Sequence, residues 1–250
     1  MNSLTACAVN ETERIFLKKK TMVLLIITML IPVLGAIGVG FFQKGLGIMP
    51  VSASEFSVWI LGIFTNFLLP LFIGMAAVDL FAGEIGDRSI KITLLRPVSR
   101  LGIFSAKIIA LAAYIVVNLG IIFLVSSFST FFLEGKEGLI WGMTKGLLAY
   151  NAAILPMLLI AIAAVFIAQL FKNSSGALVI LILIYFGLNI VSTVFPGISN
   201  LMITSYTDWH LLWTAGWGQL GRIFTVFMFI LSYSIIFLAS GFYLFERREL

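Results

Sequence analysis

The sequence predicts an all-α polytopic membrane protein, a single transmembrane domain over residues 1–250. Three observations carry this. Hydrophobic residues make up 61% of the chain and charged residues only 11%, whereas soluble domains carry about 25% charged residues. Mean hydropathy is +1.12. Apolar runs of about 20 residues, long enough to cross a bilayer, recur six times. The expected layout is six transmembrane helices with an amphipathic helix ahead of the first. A short amphipathic helix lies on the cytoplasmic side between spans two and three. A re-entrant or interfacial helix lies on the outer side between spans five and six.

Each element follows from local chemistry. Leu4, Ala8, Ile15 and Phe16 alternate loosely with Asn10, Glu11, Glu13 and Arg14, which fits a helix on the inner membrane surface or a polar tail. The apolar run that follows is too long for a signal peptide and lacks a small-residue cleavage site. Span one, residues 21–42, is uncharged behind Lys18, Lys19 and Lys20 and contains Pro32, Gly35, Gly38 and Gly40. Membrane helices tolerate such residues at kinks and close contacts. Span two covers 57–82, with Pro70 near its middle. Span three covers 101–133 but is charge-free only after Lys107. A polar loop, 134–146, precedes span four at 147–171. Lys172, Asn173, Ser174 and Ser175 make a tight turn into span five at 176–195, which Pro196 and Gly197 stop. The outer loop 196–222 is too broken for a full crossing, and span six covers 223–245.

Basic residues set the orientation. Of 16 Lys and Arg, only Lys44, Lys136, Lys145 and Arg222 fall on one side of this layout, and the other 12 on the opposite side. The positive-inside rule makes the richer side, with both termini, cytoplasmic. The net charge of +5 is therefore a topology signal spread along membrane boundaries, not a nucleic-acid face. All five tryptophans fall on the outer side. Tyr206, Trp209, Trp213 and Trp217 are spaced as one stripe of a helix, with Thr207 or Asp208 as its N-cap. Two readings fit the stripe: an interfacial anchoring belt, or a lid at the outer mouth.

The longest polar interruption is 83–100, with charges at Glu84, Asp87, Arg88, Lys91, Arg96 and Arg100. It cannot cross a bilayer, because each such charge costs about 2.5–3.5 kcal/mol at mid-membrane. Asp87 and Lys91 form a favourable i,i+4 pair, and Ile85, Ile92 and Leu95 fall near one face. Pro97 ends this helix and Ser99 caps the next.

Chemistry is otherwise sparse. No GxxxxGK[ST] loop, HExxH pair or GxSxG elbow occurs. The lone Cys7 excludes a multi-cysteine metal site, and His210 has no histidine or cysteine partner nearby in sequence. The chain therefore carries no catalytic, cofactor or metal residues of its own. The few charges near the membrane are Asp79 and Glu84 by the inner end of span two and Lys107 by that of span three. Asp79 or Glu84 is expected to pair with Lys107 or Arg88. This group reads equally as a hinge between loop and helices or as snorkelling anchors.

The run from Asp79 to Lys91, then Leu94, Leu95, Arg96, Pro97, Val98, Ser99 and Arg100, then Lys107, resembles the first cytoplasmic loop of type-2 permeases of ATP-binding-cassette transporters. Asn10 through Lys20 and the ending from Phe245 to Glu249 are also similar to that family. Arg88 and Ser89 stand where the family often has Gly-Thr.

The resemblance implies a six-helix permease that pairs with a second permease subunit, as a homodimer or heterodimer. It implies a cytoplasmic ATPase subunit that carries ATP and magnesium and grips the loop between spans two and three, the coupling helix. Glu84, Ile85, Arg88, Lys91, Ile92, Leu95 and Arg96 would dock that subunit, and Asp79 and Lys107 would pass its motion to spans two and three. It further implies export of an antibiotic, peptide, lipid or similar hydrophobic or amphipathic compound across a bacterial plasma membrane. Two other classes compete: a membrane scaffold or sensor holding a cytoplasmic partner, and a secondary carrier. The shortage of mid-membrane charge argues against the carrier.

Overall fold

The computed structural model describes residues 3–46, 51–87, 99–133, 138–215 and 217–247. Among the described residues 91% are helical and no strand occurs. Among these residues six helices are long and apolar enough to cross a membrane: Lys19–Gly45, Ala53–Gly86, Arg100–Phe132, Leu139–Ala168, Ser174–Val194 and Leu220–Glu246. An N-terminal helix, Ser3–Phe16, precedes them. Short 3-10 turns and the helix Trp209–Thr214 fill the connection between spans five and six.

Span four is the most enclosed and span six the least: 67% and 6% of the residues in their most apolar 18-residue stretches are buried. Spans two, three and four therefore build the core, while one, five and six present apolar sides outward. Two large clusters fill most of the interior. Phe56, Ile60, Phe64, Ile115, Ile122 and Met157 pack one half. Phe81, Phe104, Tyr114, Val165 and Phe245 pack the other, together with Ile15 of the N-terminal helix. Phe245 lies 6.2 Å from Phe81 and 5.7 Å from Phe104, ring to ring, and Arg100 donates to the Glu246 carbonyl. Both ends of the chain thus meet at one end of the bundle, the terminal end. The opposite, far end holds the connection between spans five and six.

Two departures from the sequence reading have physical causes. Residues 139–146 belong to the fourth span's helix rather than to a loop. Gly142 and Gly146, one turn apart, let this helix press on span two: a Cβ on Gly142 would sit 2.4 Å from the Ser54 carbonyl oxygen, and one on Gly146 would sit 3.3 Å from Ser57 Oγ. Small residues at this spacing bring membrane helices into backbone contact. Second, span two is not regular. Phe64–Leu68 forms one π-helical turn, a widening common at functional positions. Two residues on, Pro70 has no N–H to give the Asn66 carbonyl, its partner in a regular helix. The Tyr185 hydroxyl of span five donates to that carbonyl instead, at 2.8 Å.

Candidate functional site

The most unusual chemistry sits at the terminal end, where three buried charged side chains meet a fourth that reaches in from the surface. On the N-terminal helix, Cys7, Ala8, Glu11 and Ile15 share one buried face, at the three- and four-residue spacing of a helix. Cys7 and Ala8 pack on Ala106 of span three, whose small side chain lets the two helices approach. Span three starts cleanly because Ser99 Oγ accepts the Gly102 N–H at 3.1 Å, an N-cap. Two turns further on, this helix carries Lys107 inward. Span two turns at Phe81 and continues as the short helix Ala82–Gly86, which turns Glu84 to the same spot.

Lys107 Nζ donates to Glu84 Oε1 at 2.5 Å and to Glu11 Oε2 at 3.1 Å. It also lies 5.8 Å from the centre of the Phe81 ring. Glu84 Oε1 accepts a further bond from Arg14. Lys107 and Glu84 are each 1% exposed and Glu11 is 3% exposed. Two carboxylates, one ammonium and one guanidinium cancel in charge, which is the condition under which such groups tolerate burial. The cluster joins the N-terminal helix, the end of span two and the start of span three.

Asp79 is not part of that cluster. Its carboxylate faces Lys18 at 3.5 Å and Lys20 at 3.7 Å, partly in the open. Exposed pairs of this kind contribute about 0–1 kcal/mol.

At the far end, the π-helical turn aims Asn66 at the connection between spans five and six. Asn66 Nδ2 donates to Asp208 Oδ1 at 2.7 Å. Thr207 Oγ1 lies 2.7 Å from Asn66 Oδ1 and 2.8 Å from the Thr204 carbonyl. With Tyr185 on its carbonyl, Asn66 ties span two to span five and to the connecting segment. His210 is fully buried beside it, with Nδ1 donating to the Thr207 carbonyl at 3.2 Å. Burial holds the His210 pKa below its usual value, against the opposing pull of the Asp208 charge and the hydrogen bond to the Thr207 carbonyl.

A protein-family model described as ABC-2 family transporter protein matches residues 11–189, well over half of the chain. The chain belongs to the ABC-2 transporter family. No curated protein matches it. Membership makes it the membrane subunit of an ABC transporter, working with an ATPase on a separate subunit. The matched stretch begins at Glu11 and holds all four members of the buried cluster.

Within this ABC-2 chain, the expected site residues divide. Glu84 and Lys107 meet, as the sequence suggested, but Glu84 is turned inward rather than toward a docking surface, because Lys107 and Arg14 draw it in. Ile85 is half-buried against the terminal-end core. Arg88, Lys91, Ile92, Leu95 and Arg96 lie outside the described residues, as does the Asp87–Lys91 pairing. The aromatic residues do not form one stripe. Tyr206 ends a 3-10 turn and Trp209 opens a six-residue helix, and both pack on Leu159 and Ile230. Trp213 is exposed, and Trp217 opens a separate 3-10 turn. Packing against spans four and six thus holds Tyr206 and Trp209 inside the protein. Neither Thr207 nor Asp208 caps that helix with its side chain, since both are engaged by Asn66.

Sequence reasoning overlooked Glu11, Arg14 and Asn66. Glu11 had a readable signal: an acid in the middle of the stripe formed by Cys7, Ala8 and Ile15. Asn66 had none beyond its nearness to Pro70, because its partners lie more than a hundred residues away.

Proposed function

We propose that this chain is the permease half of an ATP-driven exporter, with 83–100 as the segment that receives the ATPase. The richer basic end would face the cytoplasm of a bacterial cell, placing both termini there. A second permease subunit would complete the transmembrane unit. The ATPase, with its ATP and magnesium, would bind under residues 84–96, and a hydrophobic or amphipathic compound would leave at the far end. The single observation that favours this reading is the buried cluster of Glu11, Arg14, Glu84 and Lys107. It clamps both roots of the 88–98 segment to the N-terminal helix, so a push on that segment moves three elements together rather than bending one loop.

The test is purification of the chain from its host under gentle detergent. An ATPase subunit that comes down with it, hydrolysing faster in the complex than alone, supports the proposal. Arg88→Glu is expected to abolish that stimulation while the permease stays folded. A co-purifying partner without a nucleotide site would instead support a scaffold or sensor and overturn the exporter reading.

A further inference from the structure

The far halves of spans one and three enclose a groove of about 640 Å³. Val33, Ile37, Gly40 and Lys44 line it from span one, at the three- and four-residue spacing that puts them on one helix face. Leu124, Phe128 and Phe132 line it from span three. Ala36 and Ser129 are buried in it, whereas Ile37, Leu124, Phe128 and Phe132 stand exposed. The groove therefore has a floor of small residues between rims of large apolar ones. Gly40 deepens it: a Cβ there would meet only Leu133 Cδ2, at 3.9 Å. Ser129 spends its hydroxyl on the Val125 carbonyl at 2.8 Å, so the floor offers no unspent side-chain donor. Such a lining takes hydrocarbon.

Two observations say which hydrocarbon. From Val33 to Lys44 span one rises about 16 Å, close to the ~15 Å of hydrocarbon in one leaflet. One chain of a lipid in the far leaflet thus runs the length of the groove. Lys44 stands at its far mouth, one of only four basic residues on that side of the layout. It is exposed and has no ion-pair partner among the described residues. Lys145, on the same side, is instead placed over the Trp141 ring, 5.6 Å from its centroid. Beside Lys44, Gln43 donates to the Val51 carbonyl at 3.1 Å, which anchors the end of span one. A fixed, unpaired cation at headgroup level attracts an anionic headgroup.

We propose that this groove binds an anionic phospholipid of the far leaflet, with one acyl chain between spans one and three and its phosphate on Lys44. The site requires only that the spans cross a bilayer. It draws on neither the exporter reading nor the direction of transport, so the two fail separately.

The experiment is native mass spectrometry of the complex purified from its host, stripped of lipid in detergent and titrated with phosphatidylglycerol or phosphatidylcholine of identical chains. Wild type is expected to retain phosphatidylglycerol about fivefold more tightly than phosphatidylcholine, the scale of one basic residue against an anionic headgroup. Lys44→Gln is expected to bring phosphatidylglycerol down to the level of phosphatidylcholine. Gly40→Phe fills the floor and is expected to abolish retention of both. Phe128→Ala, at an exposed rim position where folding is not at stake, is expected to weaken both lipids equally. Equal retention of the two lipids by wild type, or unchanged retention of phosphatidylglycerol in Lys44→Gln or in folded Gly40→Phe, would each overturn the site. So would a Gly40→Phe variant that keeps its lipid and loses a second permease chain, since that chain would then be the occupant.

Discussion

The two ends of the bundle hold their elements together by different means. At the terminal end, Glu11, Glu84 and Lys107 are shut inside with the half-exposed Arg14 closing the group, and losing Lys107 strands the two acids in a medium that solvates them poorly. At the far end, one amide side chain bridges a hydroxyl, a partly open carboxylate and, through its backbone, a phenol. Such bonds contribute about 0.5–1.5 kcal/mol each, or somewhat more to a charged group. A clamp of the first kind makes three elements move as one body. A latch of the second kind is cheap enough to open and close during a transport cycle. The permease is thus stiff where an ATPase would push and yielding where a compound would pass.

The largest expected effect comes from breaking the clamp. Lys107→Met leaves Glu11 and Glu84 buried with only Arg14 beside them, and is expected to destabilise the fold by about 3–5 kcal/mol. Thermal unfolding of the detergent-purified protein reads this directly. An unchanged midpoint would mean that the cluster is open to water. Next comes the latch: Asn66→Ala removes the bonds to Thr207 and Asp208, at about 1–3 kcal/mol. Hydrogen exchange is expected to rise across 204–214 and to stay unchanged in the N-terminal helix. Faster exchange at both ends would erase the distinction between them.

A pH effect sharpens the contrast. His210 is kept neutral by burial, so below about pH 6.5, where the unfolded segment gains a proton that the folded one resists, the far end loses stability. Exchange across 204–214 is expected to quicken as pH falls through that range, and His210→Gln is expected to flatten the dependence. The smallest effect belongs to Asp79. Lys20→Ala removes one half-open ion pair and is expected to cost less than about 1 kcal/mol, with no change in exchange at either end.

How much of this was readable in advance follows from what each feature depends on. The six crossings were legible because they are local: runs of apolar residues with basic ones at their ends. The start of span four was not, because Lys145 and the glycines at 142 and 146 look like a loop until Ser54 and Ser57 are laid against them. The Glu84–Lys107 contact was legible from the cost of leaving either alone near a membrane. Glu11 was half legible, as an acid on an apolar stripe. The four aromatic residues misled, because their spacing matches a helix that ends after six residues once Tyr206 and Trp209 are drawn into the core. Asn66 was hidden, since its role arises from a widened turn meeting residues far along the chain.

The central claim is that the buried cluster carries the ATPase's motion into the spans. Glu84→Gln tests it with least disturbance, because Glu11 still neutralises Lys107, the half-exposed Arg14 can turn to water, and the amide oxygen still accepts from Lys107, while the charge shared by the three elements is gone. The measurement is ATP hydrolysis by the purified complex, compared with the ATPase subunit alone. The variant is expected to assemble normally yet hydrolyse at the rate of the isolated ATPase. Full permease-dependent stimulation in an intact Glu84→Gln complex would contradict the account.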